Sequence, residues 1–268
     1  MPEFIDQLGR KISLPDFPKR IISIVPSQTE LLFDLGLRDE VIGITKFCNH
    51  PDEWFRTKSK VGGTKKLNLE IIRNLKPDLI IGNKEENSRE QIEDLMNEFP
   101  AWMSDIKNLD DALWMIQEIG KMVDKKETAL KIANEIQNKF SALELSKFDI
   151  HHSKLSAYLI WRNPLVTVGS NTFINDMMIR CGLKNVFDNL SRYPEITSEE
   201  LMQAKPKVIL LSSEPYPFKE KHVSEFQNVC PNALILIVDG EMFSWYGSRL
   251  LKAPEYFPQL IEQIKSRS

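Results

Sequence analysis

Cysteine, histidine and glycine are all scarce in this chain: three, four and eleven among 268 residues. The cysteines, Cys48, Cys181 and Cys230, are far apart, form no C-x-x-C pair, permit at most one disulfide and require none. The histidines are His50, the adjacent His151 and His152, and His222. They make neither H-E-x-x-H nor an i, i+4 pair, so no preformed zinc site is expected. Glycine falls well below the usual ~7% of a globular chain, which leaves little room for flexible linker. Long apolar runs are missing too. The longest, such as Ala233 to Val238, fall far short of the ~20 residues a membrane-spanning helix needs.

Charge of one sign is also lacking. Lys+Arg 35 against Asp+Glu 38 gives −3, which argues against a nucleic-acid or anionic-membrane partner, since those depend on clustered cations. Met1-Pro2-Glu3-Phe4 lacks the basic region, apolar core and cleavage site of a secretory signal. The chain as written is therefore expected to be cytoplasmic, or to be exported with its leader already trimmed. Catalytic and nucleotide motifs are absent as well: there is no G-x-G-x-x-G, no G-x-x-x-x-G-K-[ST] and no G-x-S-x-G. Gly62-Gly63-Thr64 with Lys65-Lys66 reads as an anion-binding loop or, with more weight, a plain turn.

What is present is a folded composition, 42% hydrophobic and 27% charged, in a length about 1.8 times a ~150-residue domain. Short β-branched runs read as buried strands: Arg20 to Val25, Val41 to Thr45, Asp78 to Gly82, Leu155 to Ile160, Lys207 to Ser212 and Leu234 to Asp239. Helical patterns alternate with them, the signature of βαβ units and a largely parallel sheet. Thr29 to Leu35 is expected to be a helix capped by Ser27 or Thr29 and stopped at Gly36. Asn68 to Leu75 is another, ended by Lys76-Pro77. Leu113, Ile116, Ile119 and Val123 mark a third. Asp124 with Glu127 then looks like a capping box opening a helix of about 20 residues that carries Leu130, Ala133, Ile136, Phe140 and Leu143.

Two blocks occur twice in the same order. Ser27 to Gly36-Leu37 is echoed by Ser170 to Gly182-Leu183. Asn68-Leu69-Glu70, seven residues before Pro77 when counted from Glu70, is echoed by Thr197-Ser198-Glu199, seven before Pro206. This repetition predicts duplicated lobes on either side of the long helix. The expected fold class is α/β: two lobes, each with a central largely parallel sheet flanked by helices, joined by one long rigid helix. The boundaries are 1–109 for the N-terminal lobe, 110–145 for the helical region with the linker, and 146–268 for the C-terminal lobe.

At these blocks the sequence resembles the substrate-binding proteins of ABC importers for iron-siderophores, haem and cobalamin. The resemblance rests on Asp6-x-Leu8-Gly9-Arg10, Pro26-Ser27-x-Thr29-Glu30, Leu69-Glu70-x-Ile72-x-x-Leu75-Lys76-Pro77-Asp78-Leu79-Ile80 and Gly247-Ser248-Arg249-Leu250. Ile160-Trp161-Arg162-x-Pro164 with Val168-Gly169-Ser170 looks most like the cobalamin branch. It implies a ligand held between two lobes, no catalysis, no resident cofactor or metal, a monomer, and ABC permease subunits as partners. It further implies that Glu70 and Glu199 dock to that permease, with Glu200 blurring the second position.

Open parallel sheets bind ligands beyond the carboxyl ends of their strands. The segments leaving those ends supply the expected ligand contacts: Ser27, Gln28 and Thr29; Phe47 and His50; Asn83; Trp161 and Arg162; and Trp245, Tyr246 and Arg249. Trp161, Trp245 and Tyr246 offer rigid apolar faces with a polar edge, suited to a corrinoid, a haem or an aromatic siderophore. Arg162 and Arg249 suit its anionic rim. His50 is a candidate axial ligand to a chelated metal. Trp54, Trp102 and Trp114 read as packing. The alternative is a cytoplasmic tetrapyrrole- or chelate-handling protein, or an enzyme, of the same fold.

Overall fold

The structure is a computed structural model and describes residues 2–145 and 154–267. His151 and His152 lie outside the described residues. The chain divides into two compact units. The first takes residues 1–106, 110–136 and 246–249; the second takes 107–109, 137–245 and 250–268.

In the first unit a hairpin of β1 (Glu3–Ile5) and β2 (Lys11–Ser13) precedes a βα succession. Its elements are β3 (Ile21–Ser23), α1 (Pro26–Asp34), β4 (Val41–Ile44), α2 (Asp52–Thr57), β5 (Ser59–Lys60), α3 (Leu69–Leu75), β6 (Leu79–Asn83), α4 (Arg89–Met96) and β7 (Ala101–Ser104). All neighbours in the sheet β5-β4-β3-β6-β7 are parallel. Every residue of β3, β6 and β7 is buried. Such strands read as continuous apolar runs because both faces of a parallel sheet are covered.

Two helices follow, α5 (Leu109–Met122) and α6 (Lys126–Leu145), and α6 is the long helix that the sequence pattern predicts. Its opening differs from that pattern. Asp124 adopts a left-handed φ of 56° in the turn after α5, so it belongs to the end of one helix and does not cap the next.

The second unit contains β8 (Lys154–Trp161), β9 (Val166–Thr167), α7 (Phe173–Arg180), β10 (Leu183–Asn185), α8 (Ser198–Gln203), β11 (Val208–Ser212), α9 (Glu220–Val229), β12 (Leu234–Val238), α10 (Glu241–Ser244) and α11 (Ala253–Arg267). Strands β10-β8-β11-β12 are parallel, and β9 adds to β8 antiparallel. A core around Leu159, Leu201, Ile209, Leu211, Phe218 and Phe226 fills one side of this sheet.

The repeat seen in sequence is a repeat in structure. Helix α1 ends at Gly36 with φ 89° and α7 at Gly182 with φ 85°. Asn68 caps α3 by accepting from the Ile71 amide, and Thr197 caps α8 by accepting from the Glu200 amide. Both helices then stop on a left-handed lysine before proline, Lys76 at φ 46° and Lys205 at φ 49°. One start departs from the sequence reading: α1 begins at Pro26, with Val25 as an N-cap that offers no side-chain bond. Proline at the first helical position needs no amide partner and presets φ, so Ser27 and Thr29 lie inside the helix and cap nothing.

Candidate functional site

At the carboxyl edge of the first sheet, the loop ends of β3, β6 and β7 are knitted by buried polar side chains. Gln28 Nε2 donates to Ser104 Oγ at 2.7 Å and the Gly82 carbonyl at 3.2 Å. Asn83 Nδ2 donates to the same Ser104 Oγ at 2.9 Å, while its Oδ1 accepts from the Glu85 amide at 2.7 Å. Thr29 Oγ1 lies 2.8 Å from Ser23 Oγ and 3.0 Å from the Val25 carbonyl. Ser27, Gln28, Thr29 and Asn83 are all buried. They build the floor on which the loops stand. Cys48 sits 3.1 Å from the hydroxyls of both Thr29 and Thr45, and burial pushes its thiol up.

Above that floor Phe47 is 53% exposed, with Lys46 Nζ 5.1 Å from its ring centre. His50 is half-buried and precedes a cis peptide to Pro51. The glycine-lysine stretch closes as a turn, Gly63 and Lys66 exchanging backbone hydrogen bonds at 2.9 and 3.2 Å. Those two amides are thereby used within the turn.

Residues Tyr246–Arg249 return to this first unit as a short strap held by three carboxylates. Tyr246 donates its hydroxyl to Glu86 Oε1 at 2.6 Å, and Ser248 donates to Asp34 Oδ2 at 2.5 Å. Arg249 places Nε 2.8 Å from Glu30 Oε2 and Nη2 2.5 Å from Glu30 Oε1, with 7% and 11% of the two side chains exposed. Arg249, expected at the ligand's anionic rim, has an internal partner for two of its donors. Gly247 lies against the Ser27 carbonyl, where a Cβ would come within 2.4 Å.

On the second unit Trp161 ends β8 with 41% of its surface exposed. Its Nε1 donates to the Asn163 carbonyl at 3.0 Å, and its ring meets Tyr216 edge-on at 5.7 Å. Arg162 binds both Glu225 oxygens through Nε, at 2.9 and 3.1 Å, and that carboxylate holds its pKa above the ordinary guanidinium value. Trp245 follows α10 and is buried, with Nε1 donating to Glu214 Oε1 at 2.9 Å. Glu214 and Tyr216, just beyond β11, were not among the expected contacts. A carboxylate directly after a buried strand, in Ser212-Ser213-Glu214-Pro215-Tyr216, was the signal available. Of the packing tryptophans, Trp54 and Trp102 are fully buried, and Trp114 stacks on Trp102 at 6.2 Å.

Glu70 and Glu199 are exposed and occupy the same second helical position of α3 and α8. The structure separates Glu199 from its neighbour: Glu200 Oε2 accepts from the Thr197 amide at 2.7 Å and completes a capping box. Among the described residues no group of three or more His, Cys, Asp and Glu stands close enough to hold a metal ion, and no helix is long and apolar enough to cross a membrane.

The model of the periplasmic binding protein family matches residues 21–230. The chain belongs to that family. Among its relatives is the vitamin B12-binding protein of Pectobacterium carotovorum subsp. carotovorum, 26% identical over 254 residues that cover 94% of this chain and 90% of the relative. The vitamin B12-binding protein of Vibrio vulnificus is 29% identical over 75% of this chain and 74% of its own. Among solved structures, the periplasmic vitamin B12-binding protein BtuF of Vibrio cholerae superposes with a TM-score of 0.78 at 21% identity, covering 94% of this chain and 99% of that one. The periplasmic heme-binding protein BhuT gives 0.79 at 18% identity over 92% and 98%. Both lobes of this periplasmic binding protein thus have the α/β architecture of solved relatives, and the chelate-handling or enzyme alternative is not favoured.

Proposed function

We propose that the chain is the substrate-binding component of an ABC importer and captures a metal chelate, whether corrinoid, haem or ferric siderophore, for delivery to a permease. The observation that carries this reading is the likeness to vitamin B12-binding relatives across nearly the whole chain. The chemistry at the sheet edges supports it. Phe47 and Trp161 expose aromatic faces beyond β4 and at the end of β8, where a planar macrocycle or aromatic chelator would bury apolar area. Lys46 and Arg162 stand next to them in sequence; Lys46 offers positive charge to an acidic rim, and Arg162 offers it in competition with Glu225. No bond chemistry is required of any residue: the protein binds, orients and releases.

Delivery would use Glu70 and Glu199, one on each duplicated module, as carboxylates for cationic side chains of the permease. Capture from outside the cytoplasm follows from this role and from the family's periplasmic members. The test is to titrate the purified protein with cyanocobalamin, hemin and ferrichrome while following tryptophan emission. Saturable quenching by at least one chelate, weakened in Trp161→Ala, is the expected result. Unchanged emission with all three would overturn the reading.

A further inference from the structure

The functional reading leaves the carboxyl of Glu214 unused. Its Oε1 accepts two donors from the segment closing α10, Ser244 Oγ at 2.5 Å and Trp245 Nε1 at 2.9 Å. Gly240 packs closely against the stem. A Cβ on Gly240 would meet Glu214 Cγ at 2.7 Å and Ser212 Oγ at 2.4 Å, so only glycine leaves room for the side chain there. The Glu214 amide also bonds back to Ser212 Oγ at 3.4 Å. A carboxylate fixed at its base and bonded at its tip to an indole N–H determines where that indole plane lies. Trp245 is otherwise followed at once by Tyr246, whose own ring is tied to Glu86.

We propose that Glu214 is a positioning residue for Trp245, holding the buried indole in one plane at the carboxyl edge of the second sheet, where it backs the surface that receives the ligand. This rests on the binding reading above for the ligand, though not for the orientation itself. The charged and titratable groups that act on Glu214 are Asp239 after β12 and Glu241 on α10, both acidic. Tyr158 of β8 reaches Ser212 Oγ with its hydroxyl at 3.1 Å, and Tyr256 of α11 accepts from the Asp239 amide at 3.1 Å. Burial, with the two neighbouring acids adding to it, raises the Glu214 pKa above the ordinary carboxylate value. Protonation of Glu214 therefore removes a charge-assisted bond to the indole at a pH above the usual carboxylate range.

The experiment uses the full chain labelled with fluorotryptophan, with the Trp245 resonance assigned through Trp245→Phe. In the absence of any chelate, that resonance is expected to move with pH through a midpoint above the ordinary carboxylate value, to lose this dependence in Glu214→Gln, and to shift or broaden in Glu214→Leu. Affinity is then measured for cyanocobalamin, hemin and ferrichrome. For the chelate that binds, Glu214→Leu and Trp245→Phe should each weaken binding about tenfold, with no further loss in the double variant, while Glu214→Gln stays close to wild type. An unmoved Trp245 resonance in Glu214→Leu, or losses that add in the double variant, would overturn the proposal. Were none of the three chelates to bind, the functional reading would fall and the resonance alone would decide the role of Glu214.

Discussion

Arg249 and Glu30 stand 219 positions apart in sequence and form a two-point ion pair, Nε to Oε2 at 2.8 Å and Nη2 to Oε1 at 2.5 Å, in a nearly water-free setting. Fork-shaped pairing of this kind fixes geometry as well as charge, and the strap from Tyr246 to Arg249 inherits that fixity. Removing one partner takes the two-point bond away from a buried charge. Arg249→Ala or Glu30→Ala is expected to lower the unfolding free energy by about 3–5 kcal/mol in urea titrations, whereas Arg249→Met with Glu30→Leu should recover most of that loss.

Gly247 gives an independent reading of the same strap. With the Ser27 carbonyl 2.4 Å from where a Cβ would stand, Gly247→Ala must push the strap off α1. Thermal melts should show destabilisation, and tyrosine spectroscopy should report a loosened Tyr246.

Glu199 and Glu200 are adjacent and both exposed, and only Glu200 closes the capping box. Glu200 closes the capping box of α8, so Glu200→Ala should cost about 1 kcal/mol of stability. Glu199→Ala and Glu70→Ala should leave the melting temperature unchanged and weaken transport in vesicles carrying the permease. A stability loss in Glu199→Ala equal to that in Glu200→Ala would contradict the assignment.

The pH dependence of stability carries the mark of Glu214. Its folded-state pKa lies above the ordinary value of 4.5, so between the two values the folded chain holds a proton that the unfolded chain has released. Unfolding free energy therefore falls as pH rises through that window. Glu214→Gln has no such proton and should flatten this part of the curve, gaining on wild type at neutral pH and matching it below about pH 4. The measurement is a set of denaturant titrations across pH.

Much of this fold is legible in the sequence because buried parallel strands are continuous apolar runs, and six were read to within two residues of their ends. Strands β1, β2, β5, β7, β9 and β10 were not read: each has two to four residues, too few for a distinct apolar run, and β7 stays unread even though every one of its residues is buried. The start of α1 was misplaced because Pro26 replaces a polar cap. The floor residues Ser27, Gln28, Thr29 and Asn83 gather, buried, at the carboxyl edge of the first sheet. Partners could not be read the same way. Glu30 for Arg249, Glu86 for Tyr246 and Glu214 for Trp245 meet only after the chain has folded back, and no local period encodes such pairs.

Isothermal titration with cyanocobalamin, hemin and ferrichrome tests the central claim most directly. Capture of a chelate for import requires a one-to-one isotherm with a dissociation constant of about 1 μM or tighter, near 8 kcal/mol of binding free energy, for at least one of them. Featureless heats with all three at ~100 μM protein would contradict it.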